Sequence, residues 1–209
     1  MNTKLTDQDG YTRRGRRHET LWMPAGTWIE AVGNSADMCG PGWIHYYQDP
    51  LLAVLFNPIH ANIEDPIGWE FESDGASLRD ASKSACKRGR VLREIELPTV
   101  TVEQAVRWGI LCSLQAGPQP GFYVRWAERY LSGDRSRRCP FEEDAAEFGY
   151  RAWAGKAANS AKAACEAATS PIAPDARFAA ANAVEWLLDA NKTVDLVDLL
   201  ALAKRAIAG

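Results

Sequence analysis

The alternation of hydrophobic and polar positions changes its rhythm near residue 100. Before that point, short apolar runs are punctuated by glycine, proline and tryptophan. After it, apolar residues recur at helical spacing among many alanines. Residues 20–31 (TLWMPAGTWIEA) predict two strands about a Pro24-Ala25-Gly26 turn. Residues 42–47 (GWIHYY) form an aromatic, β-prone run that Asp49-Pro50 closes. Residues 51–56 (LLAVLF) are apolar throughout, so periodicity alone does not separate helix from strand. The preceding Asp49-Pro50 favours a helix, because aspartate caps free N–H groups and proline suits a first turn. Residues 67–72 (IGWEFE) alternate as a strand, and residues 90–97 (RVLREIEL) form another, ended by Pro98. The polar stretch between them, residues 73–89, reads as a loop.

The second half opens on a capping box, Thr101-Val102-Glu103-Gln104, and a helix runs to about Leu114. Gly117, Pro118, Pro120 and Gly121 break it. Residues 122–131 predict a second helix with Phe122, Trp126 and Tyr130 on one face, followed by a charged loop holding Arg135, Arg137 and Arg138. Roughly a third of residues 141–209 are alanine, and helices are expected over 142–168, 175–190 and 194–208, the last capped by Thr193. Small side chains let helices approach closely, so an antiparallel hairpin or bundle follows. The alanine-rich faces also favour a homo-oligomer mildly. The expected class is α+β: a basic arm over 1–19, a core domain with a small mixed or antiparallel sheet over 20–132, and a helical, alanine-rich region over 141–209.

Composition changes this picture little. Hydrophobic residues at 46% supply a core. A net charge of −3 argues against general nucleic-acid binding, despite Arg13, Arg14, Arg16 and Arg17, which read as a solvated tail. The first twenty residues hold no apolar signal region, and no apolar run is long enough to span a membrane. Five dispersed cysteines without a CxxC pair read as reduced thiols in a cytoplasm.

Candidate chemistry concentrates between Cys39 and Glu72. His45 and His60 offer a metal set with Asp65, Glu70 or Glu72, but they lack the i, i+4 spacing of zinc motifs, and structural histidines are the commoner outcome. Cys39 near His45 offers a nucleophile pair, although Gly40-Pro41-Gly42 fits a turn better. No metal and no cofactor is expected. In a strand, Trp43, His45 and Tyr47 share one face, and Ile44 and Tyr46 share the other. With His60 and Trp69 they form a candidate ligand face for a nucleobase or nicotinamide-like ring, a reading that ordinary core packing rivals. Glu70, Glu72, Glu94 and Glu96 alternate along strands. Outward solvation is the commoner fate, while Glu94 or Glu70 would serve as base or ribose ligand in an enzyme. Asp195 and Asp198 read as a solvated helix face.

The segment LWMPAGTWIEA…MCGPGWIHYYQDPLLAVLFNPIHANI…WEFESDG…REIELP resembles a group of tailed-phage accessory proteins without a settled activity, over roughly residues 10–130. That resemblance implies a host-cytoplasmic accessory protein with a counter-defence role, which sequesters a nucleotide-type small molecule or blocks a host defence protein without catalysis. At the level of fold, Gly42 to Tyr47, then Asp49-Pro50 and an apolar helix, is similar to the second motif of ADP-ribosyltransferase-type domains, which bind NAD between two small sheets. The first motif would fall near Leu21-Trp22-Met23 and the third near Glu94. No Arg or His-Gly first motif stands at 20–24, so the likeness implies the pocket more than the reaction. An ADP-ribosyltransferase-like or nucleotide-processing enzyme is the first alternative. A structural protein acting through its helical tail is the second.

Overall fold

The computed structural model describes residues 1–134 and 156–209, and the chain divides after Thr99 into two compact units. The class is α+β, with antiparallel sheets in the first unit and most helices in the second. The division falls about thirty residues before the expected end of the core domain, at the change in sequence rhythm.

Seven strands and one helix build the first unit: β1 (Thr3–Thr6), β2 (Tyr11–Thr12), β3 (Thr20–Leu21), β4 (Ile29–Glu30), β5 (Ile44–Tyr46), α1 (Pro50–His60), β6 (Ile67–Arg79) and β7 (Ser84–Ile95). The long β6–β7 hairpin is the backbone of the sheet. β1 lies on the outer edge of β6, while β4 and β5 share the outer edge of β7. Just past β5, Tyr47 exchanges both backbone hydrogen bonds with Thr3 of β1, at 2.7 and 2.8 Å. The path β1–β6–β7–β5 thus returns to β1, closing a small ring of strands. Inside it pack Trp22, Ile44, Tyr46, Trp69, Phe71, Cys86 and Val91.

Three expectations change here. Residues 73–89 are hairpin arms rather than a loop. Their polar residues pair across the strands, as in Asp74 opposite Arg88 and Arg79 opposite Ser84, and two register shifts bend the ribbon. Asp80 closes the turn by accepting from Ser82 N and Lys83 N at 2.7 and 2.8 Å. The strands of residues 20–31 do not pair with each other, since β3 joins β2 and β4 joins β7. The expected N-terminal arm is built into the fold: β1 is an integral strand, and β2 and β3 make the arginine-bearing stretch 13–19 the tip of a hairpin.

Helix α1 forms as the sequence predicts. Asp49 accepts from Leu51 N at 2.8 Å, Pro50 opens the first turn, and Leu51, Leu52, Ala53, Leu55 and Phe56 are buried. Asn57 then brackets Ile63, donating to its carbonyl and accepting from its N–H, which fixes the chain just beyond His60.

The second unit contains α2 (Val102–Ser113), α3 (Gly121–Leu131), α4 (Lys156–Thr169), α5 (Ala173–Ala190) and α6 (Leu196–Ala208). The Thr101–Gln104 capping box is present. The cap of α6 is Asp195 rather than Thr193. Asp195 accepts from Val197 N and Asp198 N, and Asp198 reaches back to Asp195 N, so this pair, exposed to solvent as expected, also forms a capping box. Gly109 of α2 lies against Ala180 of α5, where an added Cβ would meet Ala180 Cα at 3.0 Å. Ala161, Ala164, Ala180, Ala181, Ala183, Ala203 and Ala206 are buried within this unit, which accounts for the alanine enrichment by intrachain packing. The loop arginines Arg135, Arg137 and Arg138, and the start of the helix expected from 142, lie outside the described residues. Cys39, Cys86 and Cys112 are free thiols, whereas Cys165 is disulfide-bonded, a departure from the expectation of reduced cysteines throughout.

Candidate functional site

A cleft of about 790 Å³ opens on the first unit. Its walls come from Lys4 and Leu5 of β1, the β2–β3 hairpin, residues 29–32 at β4, the loop before β5 together with β5 itself, the end of α1, and Lys83 at the β6–β7 turn. The alternation of β5 sets its aromatic side. Ile44 and Tyr46 pack in the core, Ile44 also bordering the cleft, while Trp43, His45 and Tyr47 line it from the other positions of the strand period.

A glycine contact holds the loop before β5. Gly42 has φ +100°, and a Cβ there would lie 2.3 Å from Gly33 O, so the 33–42 loop closes on itself at two glycines. Ser35 N donates to Pro41 O at 2.9 Å. From this loop, Ser35 O accepts from the Trp43 indole at 2.8 Å, and Met38 O lies 2.6 Å from His45 Nε2. A carbonyl only accepts, so Nε2 carries the proton and Nδ1 is the acceptor nitrogen. Burial pushes the His45 pKa down to about 4, and the nearby Lys4, Lys83 and Arg13 charges add to that; the imidazole is neutral at pH 7. Lys87 covers a face of Trp43, its Nζ 3.7 Å from the ring centroid, and donates to Gly42 O at 2.7 Å. His60 stacks near Phe56 and Tyr47, at centroid distances of 5.1 and 6.0 Å.

The cleft is cationic, although the chain is acidic overall. Lys4, Arg13, Arg14, Arg16, Arg17 and Lys83 line it, against Asp7, Glu19, Glu30 and Glu64. Arg14 is bound to Asp9 and lies 3.8 Å from Asp7. Asp7 and Glu19 are engaged in turn geometry, accepting from Tyr11 N and Gly15 N. Among the described residues, Lys4, Arg13, Arg16, Arg17 and Lys83 have no carboxylate at ion-pair distance. Guanidinium groups such as those of Arg13, Arg16 and Arg17 have the donor geometry to take phosphate or carboxylate oxygens.

Of the five residues expected to bind a ligand, Trp43, His45, Tyr47 and His60 converge on this cleft. Trp69 does not. It packs in the strand-ring core and donates from Nε1 to Thr6 Oγ1 at 2.9 Å, because its position on β6 points inward. Glu70 and Glu94 also lie away from the cleft: Glu70 accepts from Arg93 Nε at 2.6 Å, and Glu94 is exposed on β7. Cys39 reaches the rim but makes no hydrogen bond to His45, whose Nε2 is committed to Met38. No cluster able to hold a metal occurs among the described residues, nor is any helix there long and apolar enough to cross a membrane.

Lys4 was not legible as a site residue. It lies in TKLT, a polar strand without an apolar face, and only the ring closure brings it under the cleft. Comparison of the chain with protein-family models, with curated proteins and with solved structures gives no match.

Proposed function

We propose that the first unit binds a small anionic molecule carrying a planar ring, of nucleotide type, without catalysis. The observation that carries this reading is a cleft combining Trp43, His45, Tyr47 and His60 with five cations that, among the described residues, have no carboxylate at ion-pair distance. The ring of such a ligand lies against the aromatic wall, and its phosphates meet Arg13, Arg16 and Arg17. The neutral His45 offers a hydrogen-bond acceptor rather than a proton at pH 7. Together with the resemblance to tailed-phage accessory proteins, this supports a role in sequestering a nucleotide-type signal in a host cell. Glu70 and Glu94, the residues named for an enzymatic role, stand outside the cleft, and the sequestering role needs neither.

Isothermal calorimetry with ADP-ribose, NAD and cyclic dinucleotides tests the proposal. At least one should bind with a single-site isotherm that weakens as salt rises, because the arginines are exposed. No heat from any of them at low salt would overturn it.

A further inference from the structure

Lys4 occupies an unusual position. It stands on β1 opposite Trp69, and its side chain runs into the core of the strand ring. Its Nζ donates to His45 O at 2.6 Å and lies 4.8 Å from the Trp22 ring centroid. An ammonium has three protons, and the carbonyl takes one. Among the described residues no carboxylate neutralises it, and the neighbouring Arg13 opposes it. A lone cation among aromatic core residues costs stability, and a neutral side chain would fill the same space without that cost. Lys4 is also part of the cleft lining, together with the arginine-bearing hairpin.

We propose that Lys4 is the floor contact of the cleft, donating from its amine to an anionic oxygen of the bound phosphate ester. This rests on the ligand reading of the preceding subsection. Burial lowers the Lys4 pKa to about 8, with Arg13 adding to the effect and Cys86 opposing it. The two titratable neighbours with shifted values, Cys86 and His45, lie well away from that value. The Cys86 thiol is pushed up to about 11 and His45 is held down to about 4, and the other charged group facing Lys4 is the Arg13 guanidinium. An arriving anion restores the charged form, so affinity should fall as pH rises through 8 and the amine has to be protonated at the expense of binding.

The test uses the full chain and ADP-ribose, whose diphosphate does not ionise in this range. Calorimetry from pH ~7 to ~10 should show affinity falling by up to about tenfold per pH unit above 8, with proton uptake visible as a dependence on buffer ionisation enthalpy. Lys4→Met should lose about tenfold to a hundredfold at pH ~7, the size of one charge-assisted hydrogen bond, and should show a flat profile. Lys4→Arg keeps the charge but does not titrate. It should bind within a few-fold of the wild type and also be flat, which separates Lys4 from Lys83. Should Lys4→Met not fold, the wild-type profile and the arginine variant decide. A flat wild-type profile, or Lys4→Met affinity equal to wild type, overturns the role of Lys4 and leaves the cleft reading intact. Absence of binding by the wild type to every nucleotide probe overturns both.

Discussion

The Nε2 atom of His45 lies 2.6 Å from the carbonyl oxygen of Met38, tying strand β5 to the loop that walls the cleft. The bond holds a neutral imidazole whose pKa is lowered from 6.5 to about 4, chiefly by burial. Between those values the unfolded chain binds more protons at this position than the folded one, so stability rises with pH across the window. Acidification from 6.5 to 4 should therefore destabilise the first unit, by at most about 2–3 kcal/mol from this residue. Urea unfolding followed across that range checks it against His45→Asn, which should lose that part of the slope while keeping the part due to carboxylates. Equal slopes in the two proteins would exclude His45 as the source.

Trp43 is held from two sides, by its indole bond to Ser35 O and by the Lys87 ammonium on its ring. A ring ligand can use only the face that Lys87 leaves. Trp43→Ala should weaken ADP-ribose binding by about 1–3 kcal/mol, the range for a ring stacked on an aromatic side chain. Trp69→Phe should leave binding within a few-fold of wild type, because Trp69 lies in the core. The pair is read by calorimetry on proteins whose circular dichroism matches the parent; the opposite ranking would place the ligand elsewhere.

Where hydrophobic rhythm and local capping chemistry agree, the sequence was readable. α1 and its Asp49-Pro50 start, the Thr101–Gln104 box, and the split of residues 43–47 into two faces all follow from side-chain period and caps. Features that depend on partners distant in the chain were not readable. Residues 73–89 look like a loop because their strand pairing uses Asp74–Arg88 and serine positions, not an apolar stripe. β1 carries threonines and a lysine, so only its place between β6 and Tyr47 makes it a strand. Trp69 was assigned to the ligand face because its aromatic neighbours are close in sequence. The ring of strands turns it inward. The four cleft residues came together because β5 and α1 are adjacent in both sequence and space. Lys4, about forty residues away, did not signal itself.

Asp195 accepts from Val197 N at 2.7 Å and from Asp198 N at 3.0 Å, satisfying two otherwise free donors at the start of α6. Its charge also complements the positive end of the helix. Asp195→Ala should destabilise the second unit by about 1 kcal/mol, and Asp195→Ser by less, since serine caps as well. Thr193→Ala should cost little, because its N–H and hydroxyl donate to Asn191 outside the helix. Thermal unfolding of the three variants gives the order, and a larger loss for Thr193→Ala would move the cap.

Gly109 sits in the middle of α2, where helix propensity alone makes alanine better by about 1 kcal/mol. The packing opposes that gain. An added Cβ would meet Ala180 Cα at 3.0 Å, its carbonyl oxygen at 3.1 Å and its Cβ at 3.3 Å. Two of these atoms are backbone of α5, which cannot swing aside as a flexible side chain would, so relief requires the two helices to separate. Overpacking of this kind costs about 1–3 kcal/mol. Gly109→Ala should therefore be net destabilising, by up to about 2 kcal/mol, and Gly109→Val more so. Ala180→Gly removes only the 3.3 Å contact and leaves the backbone contacts in place, so the Gly109→Ala/Ala180→Gly double variant should not recover the loss. Denaturant midpoints for the single and double variants decide the matter. A stabilised Gly109→Ala would mean that α2 and α5 can part at little cost, and that the alanine-rich interface is looser than its close approach implies.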